Sequence, residues 1–275
     1  MIPKVNFLGR AVSRLIVGDN PINGYSYVPS IASGEGMLDY YTEARVIDLL
    51  RYAEILGINA FMPLGNEFMI RAVRHFRNAG GSQDIIFQSY PPADFKLNLS
   101  QMAQLRPLGI YHQGTTTDAL CEEGRFSVLR ERIKMIKDEG IYAGLGTHVP
   151  EFIMRAEDED WGVDFYAACL HNSRKRSAED SELKIDGTST IKFFMEDRPL
   201  MLQTIAAINK PVIAFKLFAG GQVFLNKPKD QIPSVIASVF KEVYSAIKPN
   251  DIAAVGIYQR DGDQLGQCAA AMEPC

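Results

Sequence analysis

The feature that most constrains the fold is a rhythm. Short apolar, β-rich runs recur along the chain, with amphipathic segments of helical period between them. Eight such runs occur: Leu15–Gly18, Ala60–Pro63, Ile85–Gln88, Gly109–His112, Tyr142–Thr147, Val163–Leu170, Val212–Phe218 and Ala253–Tyr258. The clearest helix is Glu43–Leu56, whose Val46, Leu49, Leu50 and Ala53 share one face before Gly57 stops it. Phe126–Lys137 runs to a stop at Gly140, and Pro233–Ile247 starts with proline in its first turn. Strands alternating with helices imply parallel pairing through right-handed crossovers. Eight repeats predict a closed (β/α)8 TIM barrel, an α/β fold. The competing arrangement, an open doubly wound sheet, would favour Gly-x-Gly-x-x-Gly after the first strand. The sequence there is Gly18-Asp19-Asn20-Pro21.

The 275 residues suit one barrel domain spanning 1–275. A formal net charge of −4 gives no electrostatic drive towards nucleic acid, so no nucleic-acid partner is expected. No apolar run approaches the ~20 residues that span a bilayer, and Met1–Arg10 has no signal-peptide pattern. No membrane partner is expected, and the reading is cytoplasmic. Cys121, Cys169, Cys268 and Cys275 lack close-paired spacing, which predicts reduced thiols rather than a zinc ribbon or disulfide framework. No role is expected for the terminal Cys275. Oligomeric state is not readable from the residues.

Two connections exceed what a plain barrel needs. Residues 21–41 carry Tyr25, Tyr27, Tyr40 and Tyr41, and residues 172–190 are highly charged. Both follow strands, so both belong to the face where barrels place active sites, and both are candidate lids. The alternative for 173–190 is an insertion without fixed structure.

Three of the four histidines close consecutive strands: His112, His148 and His171. The fourth, His75, lies on a helix between Arg74 and Arg77 and reads as a surface residue. Gly144 and Gly146 share the parity of His148, which predicts room for a ligand above them. Lys216 shares parity with Val212 and Ala214, a cation in an apolar strand that must be paired, titrated or functional. The catalytic candidates are His112 and His148 for proton transfer, Lys216 for an anionic intermediate, and Asp19 at the end of strand one. The expected substrate contacts are Asn20, Gln88, Gln113, His171, Asn172 and Tyr258.

Imidazoles with a carboxylate such as Asp19 would suit a divalent metal, although no compact ligand motif marks one. Barrels also bind phosphate through the loops after strands seven and eight. Gly220, Gly221, Gln222 and Arg260 are therefore candidate cofactor contacts. Glycines admit backbone N–H groups to an anion, and Arg260 could pair with it. Ordinary glycine turns explain the same residues.

The opening Phe7-Leu8-Gly9-Arg10, followed by Val12-Ser13-Arg14-Leu15, resembles the start of aldo-keto reductases. Ala53–Phe61 and Val255–Leu265 resemble the passage into strand two and the last strand with its helix. The resemblance implies an N-terminal β-hairpin capping the barrel. That family places Asp and Tyr after strand two, Lys at strand three and His at strand four. Here strand two continues Phe61-Met62-Pro63-Leu64-Gly65-Asn66, strand three offers Gln88 or Ser89, and His112 alone matches. Segments 110–114, 144–150 and 210–216 are similar to a divergent bacterial branch of aldo-keto-reductase-like barrels.

The leading reading is an enzyme acting on a small polar carbonyl or sugar-like substrate by histidine-mediated proton transfer, of isomerase, epimerase or lyase type. The second is an NADP(H)-dependent oxidoreductase with rearranged catalytic groups. The third is a non-catalytic ligand-binding barrel.

Overall fold

The computed structural model describes residues 2–272; Cys275 lies outside them. Eight parallel strands close a barrel in the order β11-β12-β3-β4-β5-β6-β7-β8. In chain order these are β3 (Leu15–Gly18), β4 (Ala60–Met62), β5 (Asp84–Gln88), β6 (Gly109–His112), β7 (Tyr142–Thr147), β8 (Phe165–Cys169), β11 (Val212–Phe215) and β12 (Ile252–Gly256). The remaining strands form two antiparallel hairpins: β1 (Lys4–Phe7) with β2 (Arg10–Ser13), and β9 (Glu182–Ile185) with β10 (Thr188–Ile191). The helices that position the site are α1 (Gly34–Tyr40), α2 (Glu43–Ile55), α3 (Glu67–Asn78), α4 (Phe95–Ala103), α5 (Gly114–Glu122), α6 (Phe126–Asp138), α7 (Pro150–Asp158), α8 (Asp197–Ala207), α9 (Ile232–Ala246) and α10 (Gln264–Ala271).

The side-chain period of two divides each strand between two cores. Ile16, Ala60, Met62, Ile86, Tyr111, Phe165, Ala167, Ile213, Ile252 and Ala254 pack inside the barrel with Phe7 and Val12 of the β1–β2 hairpin. That hairpin plugs the bottom, where the Phe7 and Phe165 rings meet edge to face at 5.9 Å. The alternate residues, such as Leu15, Val17, Phe61, Ile110, Leu145, Val212 and Ala214, pack outward against the helices.

Two local features differ from expectation. The seventh strand stops at Phe215, because Lys216 takes a left-handed backbone (φ 60°) and breaks the alternation. The parity linking Lys216 to the outward Val212 and Ala214 therefore does not aim its side chain. The charged connection after β8 holds the β9–β10 hairpin, turned by Asp186 and Gly187, both at positive φ. Asp-Gly supplies that pair of left-handed conformations.

The room predicted above Gly144 and Gly146 is filled. A Cβ on Gly144 would stand 2.4 Å from the Phe165 ring, and one on Gly146 would stand 2.9 Å from the Tyr111 ring. These glycines serve close aromatic packing inside the barrel rather than a ligand space.

Candidate functional site

The C-terminal ends of the strands form a mouth covered by residues 21–41 and the β9–β10 hairpin. Asp19 follows β3 and is buried. It accepts hydrogen bonds from the Leu64 amide at 2.5 Å and from Asn23 Nδ2 at 2.6 Å. Burial pushes its carboxyl up to about 6, against the lowering effect of those two donors. Asn66 donates to Asn23 at 2.7 Å and accepts from the Met69 amide as the cap of α3. A cleft of about 330 Å³ opens beside this amide chain, lined by Ile22, Asn23, Tyr25, Leu64, Asn66 and Tyr90 among others.

Across the mouth, His148 follows β7. Its Nδ1 stands 2.7 Å from the fully buried Asp118 carboxylate on α5. Thr147 Oγ1 donates to the same carboxylate at 2.5 Å, and the His148 amide donates at 3.3 Å. The imidazole runs inward from that anchor and meets the Phe215 ring edge-on at 6.0 Å. Its Nε2 makes no hydrogen bond among the described residues. Gly114 permits the approach, because a Cβ there would lie 3.1 Å from His148 Cε1. A carboxylate on Nδ1 fixes the tautomer with Nε2 free for proton transfer.

Lys216 sits beside this imidazole's neighbour Phe215. Its Nζ lies 3.7 Å from the Tyr27 ring centroid and 4.6 Å from that of Phe193. It has no carboxylate partner among the described residues. Its charge reaches Cys169 and His171 at the end of β8. Burial pushes the Cys169 thiol up to about 11, and the Lys216 charge opposes the shift. His171 is buried. Its Nδ1 donates to the Phe194 carbonyl at 3.0 Å, and its buried Nε2 has no partner. Burial holds it down to about 4.

The strand-end residues fall into two groups, Asp19 with Gln88 on one side and His148, His171 and Lys216 on the other, and Asn20 is bound to the lid through Tyr27 Oη at 3.4 Å. Gln88 accepts from Tyr111 Oη at 2.7 Å, and Tyr111 feels the Asp19 charge.

His112 stands apart. Its strand neighbour Tyr111 points inward, so His112 points into the helix layer, where Nδ1 meets Thr117 Oγ1 and Nε2 meets Arg132, both at 2.8 Å. Burial, reinforced by the Arg132 charge, holds His112 down to about 3. Both ring nitrogens are spent on scaffold, which corrects its assignment as a proton carrier at the mouth.

Three expected substrate contacts are likewise occupied. Gln113 caps α5 through Oε1, which accepts from the Thr116 amide at 2.8 Å. Asn172 accepts from the Arg174 amide at 3.0 Å and lines an outer groove of about 820 Å³ between α7 and α8. Tyr258 is buried among Tyr40 and Tyr41 and donates to the Gly36 carbonyl at 3.1 Å, which ties α1 to the barrel.

The expected cofactor contacts do not form an anion cradle. A Cβ on Gly220 would lie 2.6 Å from that of Tyr27, so the lid covers this turn, and Gly221 (φ 94°) shares its left-handed backbone. Gln222 is a staple between the two lids. Its Nε2 donates to the carbonyls of Tyr27 at 3.2 Å and Ile191 at 2.6 Å, while Oε1 accepts from the Phe193 amide at 3.0 Å. Arg260 pairs with its neighbour Asp261 at 2.9 Å. Among the described residues no group of three His, Cys, Asp or Glu side chains is placed to hold a metal ion.

Sequence reasoning missed Asp118, Phe193 and the stapling role of Gln222, and it named Tyr27 only as part of a candidate lid. Asp118 lies in the first turns of a helix four residues after Gly114, and only the fold carries it to His148. The hairpin had a local signal in Asp186-Gly187.

No protein-family model matches the chain, and no curated protein matches it. Among solved structures it is similar to an aldo-keto reductase from Bacillus halodurans at 13% identity, with a TM-score of 0.57 over 99% of this chain and 91% of that one. It is also similar to a truncated 3-deoxy-D-arabino-heptulosonate 7-phosphate synthase from Thermotoga maritima at 8% identity, with a TM-score of 0.55 over 99% of this chain and 86% of that one. The shared feature is the barrel. At these identities the likeness shows the fold, and the chemistry has to be argued from the site. No helix among the described residues is long and apolar enough to cross a membrane.

Proposed function

We propose that this chain is an enzyme that moves protons on a small hydroxylated carbonyl compound, such as a sugar or a sugar-derived aldehyde or ketone. The observation that carries the reading is the His148–Asp118 pair, which leaves Nε2 unpartnered beside the mouth. Neutral imidazole at Nε2 accepts a proton from a carbon or hydroxyl, and the Asp118 carboxylate stabilises the imidazolium that results. Asp19, with its carboxyl at about 6, exchanges a proton near neutral pH from the other side. Lys216 supplies positive charge where an enolate oxygen would develop. A cleft of about 330 Å³ lined by Asn23, the hydrogen-bond partner of Asp19, and by Tyr25, Tyr41 and Tyr90 is of the size that small ligands fill.

The aldo-keto-reductase likeness enters this reading as scaffold. The hairpin plug and closed barrel accord with a divergent branch of those proteins, while the strand-end chemistry is different. The buried, unpaired thiols of Cys121, Cys169 and Cys268 accord with a reducing cytoplasm.

The test is exchange of the carbon-bound α-proton. Three- to six-carbon aldoses and ketoses are incubated with the protein in deuterium oxide and followed by proton NMR. Exchange is expected for at least one sugar and is lost in His148→Gln and Asp19→Asn. Wild-type exchange no faster than that of the double variant across the series would overturn the reading.

A further inference from the structure

We propose that Lys216 is a covalent anchor, whose ε-amine condenses with the carbonyl of the substrate to form a Schiff base. The inference rests on the proton-transfer reading and assigns that site its electron sink.

Three observations point to it. The first is the backbone. Lys216 is held at φ 60°, a conformation that costs a non-glycine residue on the order of 1 kcal/mol or more. Its carbonyl accepts from the Ala219 amide at 2.9 Å, so the turn is locked. The strain redirects the side chain from the helix layer to the mouth, which a strand continuing through 216 would not do.

The second is the surroundings of Nζ. The amine is flanked by the rings of Tyr27 and Phe193 and has no carboxylate partner among the described residues. A paired carboxylate would hold an amine protonated and unreactive. Ring faces attract a cation more weakly than a paired carboxylate does, so the cage seats the ammonium at rest, lets it give up its proton, and holds the iminium after condensation. The rings also keep water from the C=N bond.

The third is what lies around the cage. His148 approaches through Phe215, and Tyr27 and Asn20 connect the cage to the Asp19 side of the mouth. A carbonyl compound anchored on Lys216 would present its α-carbon to groups that accept and return protons.

The step balances without an oxidant or reductant. The ammonium first releases a proton to a base at the mouth. The amine nitrogen then bonds to the carbonyl carbon, and that nitrogen gives up one proton while the carbonyl oxygen takes one up, which leaves a neutral carbinolamine. Protonation of that hydroxyl and rupture of the C–O bond release one water and leave the iminium. Loss of the α-proton sends its electron pair to the iminium nitrogen, giving a neutral enamine, and return of a proton to carbon followed by water addition frees the product.

The test traps the iminium. Full-length protein is incubated with dihydroxyacetone, hydroxyacetone or pyruvate, treated with sodium borohydride and digested for peptide mass spectrometry. The exposed Lys134, paired only with Asp138 on its own helix, serves as the internal reference. The expected result is a reduced adduct on Lys216 forming at least tenfold faster than on Lys134 with one of the three carbonyls, together with loss of α-proton exchange in Lys216→Arg. An adduct on Lys216 no faster than on Lys134 with all three overturns the proposal. If exchange persists in Lys216→Arg, the covalent role is likewise overturned, and the proton-transfer reading stands with residue 216 as a cation. Loss of exchange in His148→Gln while the Lys216 adduct still forms separates the two ideas from the other side.

Discussion

Nδ1 of His148 lies 2.7 Å from the carboxylate of Asp118, and the two residues come from different strand–helix units, at the end of β7 and on α5. The pair fixes which imidazole nitrogen faces the mouth. Asp118→Asn keeps the shape but removes the charge that supports the imidazolium. It is expected to lower the α-proton exchange rate by about 10²-fold or more. Asp118→Ala also strands Thr147 Oγ1 and the His148 amide, which should cost roughly 1–3 kcal/mol in urea unfolding. Exchange kinetics beside chemical unfolding separates the two effects.

Asp19 makes the protein less stable as it ionises. Its carboxyl titrates at about 6 in the folded chain and at 3.8 when free, so the folded state binds the proton more tightly. The stabilisation is fully present below 3.8 and is lost as pH rises through about 6. Between pH 4 and 7 the wild type should lose ~2 kcal/mol relative to Asp19→Asn, whose profile lacks this component. Urea midpoints at the two pH values check it. Parallel profiles for the two proteins would contradict the burial of this carboxyl.

His112 has the opposite sign. Burial holds it near 3, below its ordinary 6.5, so the folded state resists protonation. The stability it contributes is complete above 6.5 and declines as pH falls towards 3. His171, held near 4, adds to the same acid limb. His112→Gln should flatten that limb in a pH-resolved thermal melt. Loss of its contacts to Thr117 and Arg132 should lower stability by roughly 1–3 kcal/mol at neutral pH. Exchange activity at a temperature where the variant stays folded should remain within about threefold of wild type, because neither ring nitrogen reaches the mouth.

Gln222 joins the two lids through Tyr27, Ile191 and Phe193. Gln222→Ala removes all three hydrogen bonds at little cost to the barrel itself. The Phe193 amide should then exchange with deuterium about tenfold faster, a loss of roughly 1.4 kcal/mol in local opening. Amides of β7 and β8 should be unaffected. Hydrogen exchange read by mass spectrometry distinguishes lid release from general destabilisation.

The barrel was legible because its signals are local and repeated. Eight alternations of short apolar runs and amphipathic helices, with no Gly-x-Gly-x-x-Gly after the first run, favour a closed parallel barrel over an open sheet. The N-terminal hairpin, Gly57 after α2 and the proline opening of α9 stand where residue chemistry puts them. The site was partly legible. Placing chemistry at strand ends directed attention to Asp19, His148 and Lys216, which follow β3, β7 and β11. It equally favoured His112, which period-two alternation sends outward beside the inward Tyr111. Parity also gave the wrong guide for Lys216, where one left-handed residue resets the direction of the side chain. Gly144 and Gly146 looked like vacant space because a sequence does not show which ring from a neighbouring strand will occupy it.

The sequence by itself determined the periodicities, and through them the number of strands, their parallel sense and the end of the barrel that carries polar residues. Only the tertiary structure decided which of those residues meet. Asp118 joins His148 across 30 positions, and Lys216 enters a cage of Tyr27 and Phe193 from two separate lids. The physical reason is range. Hydrophobic period and turn chemistry act over a few residues. The pairing of charges, the burial that moves a carboxyl to about 6 and the choice between mouth and helix layer arise only when distant segments close together.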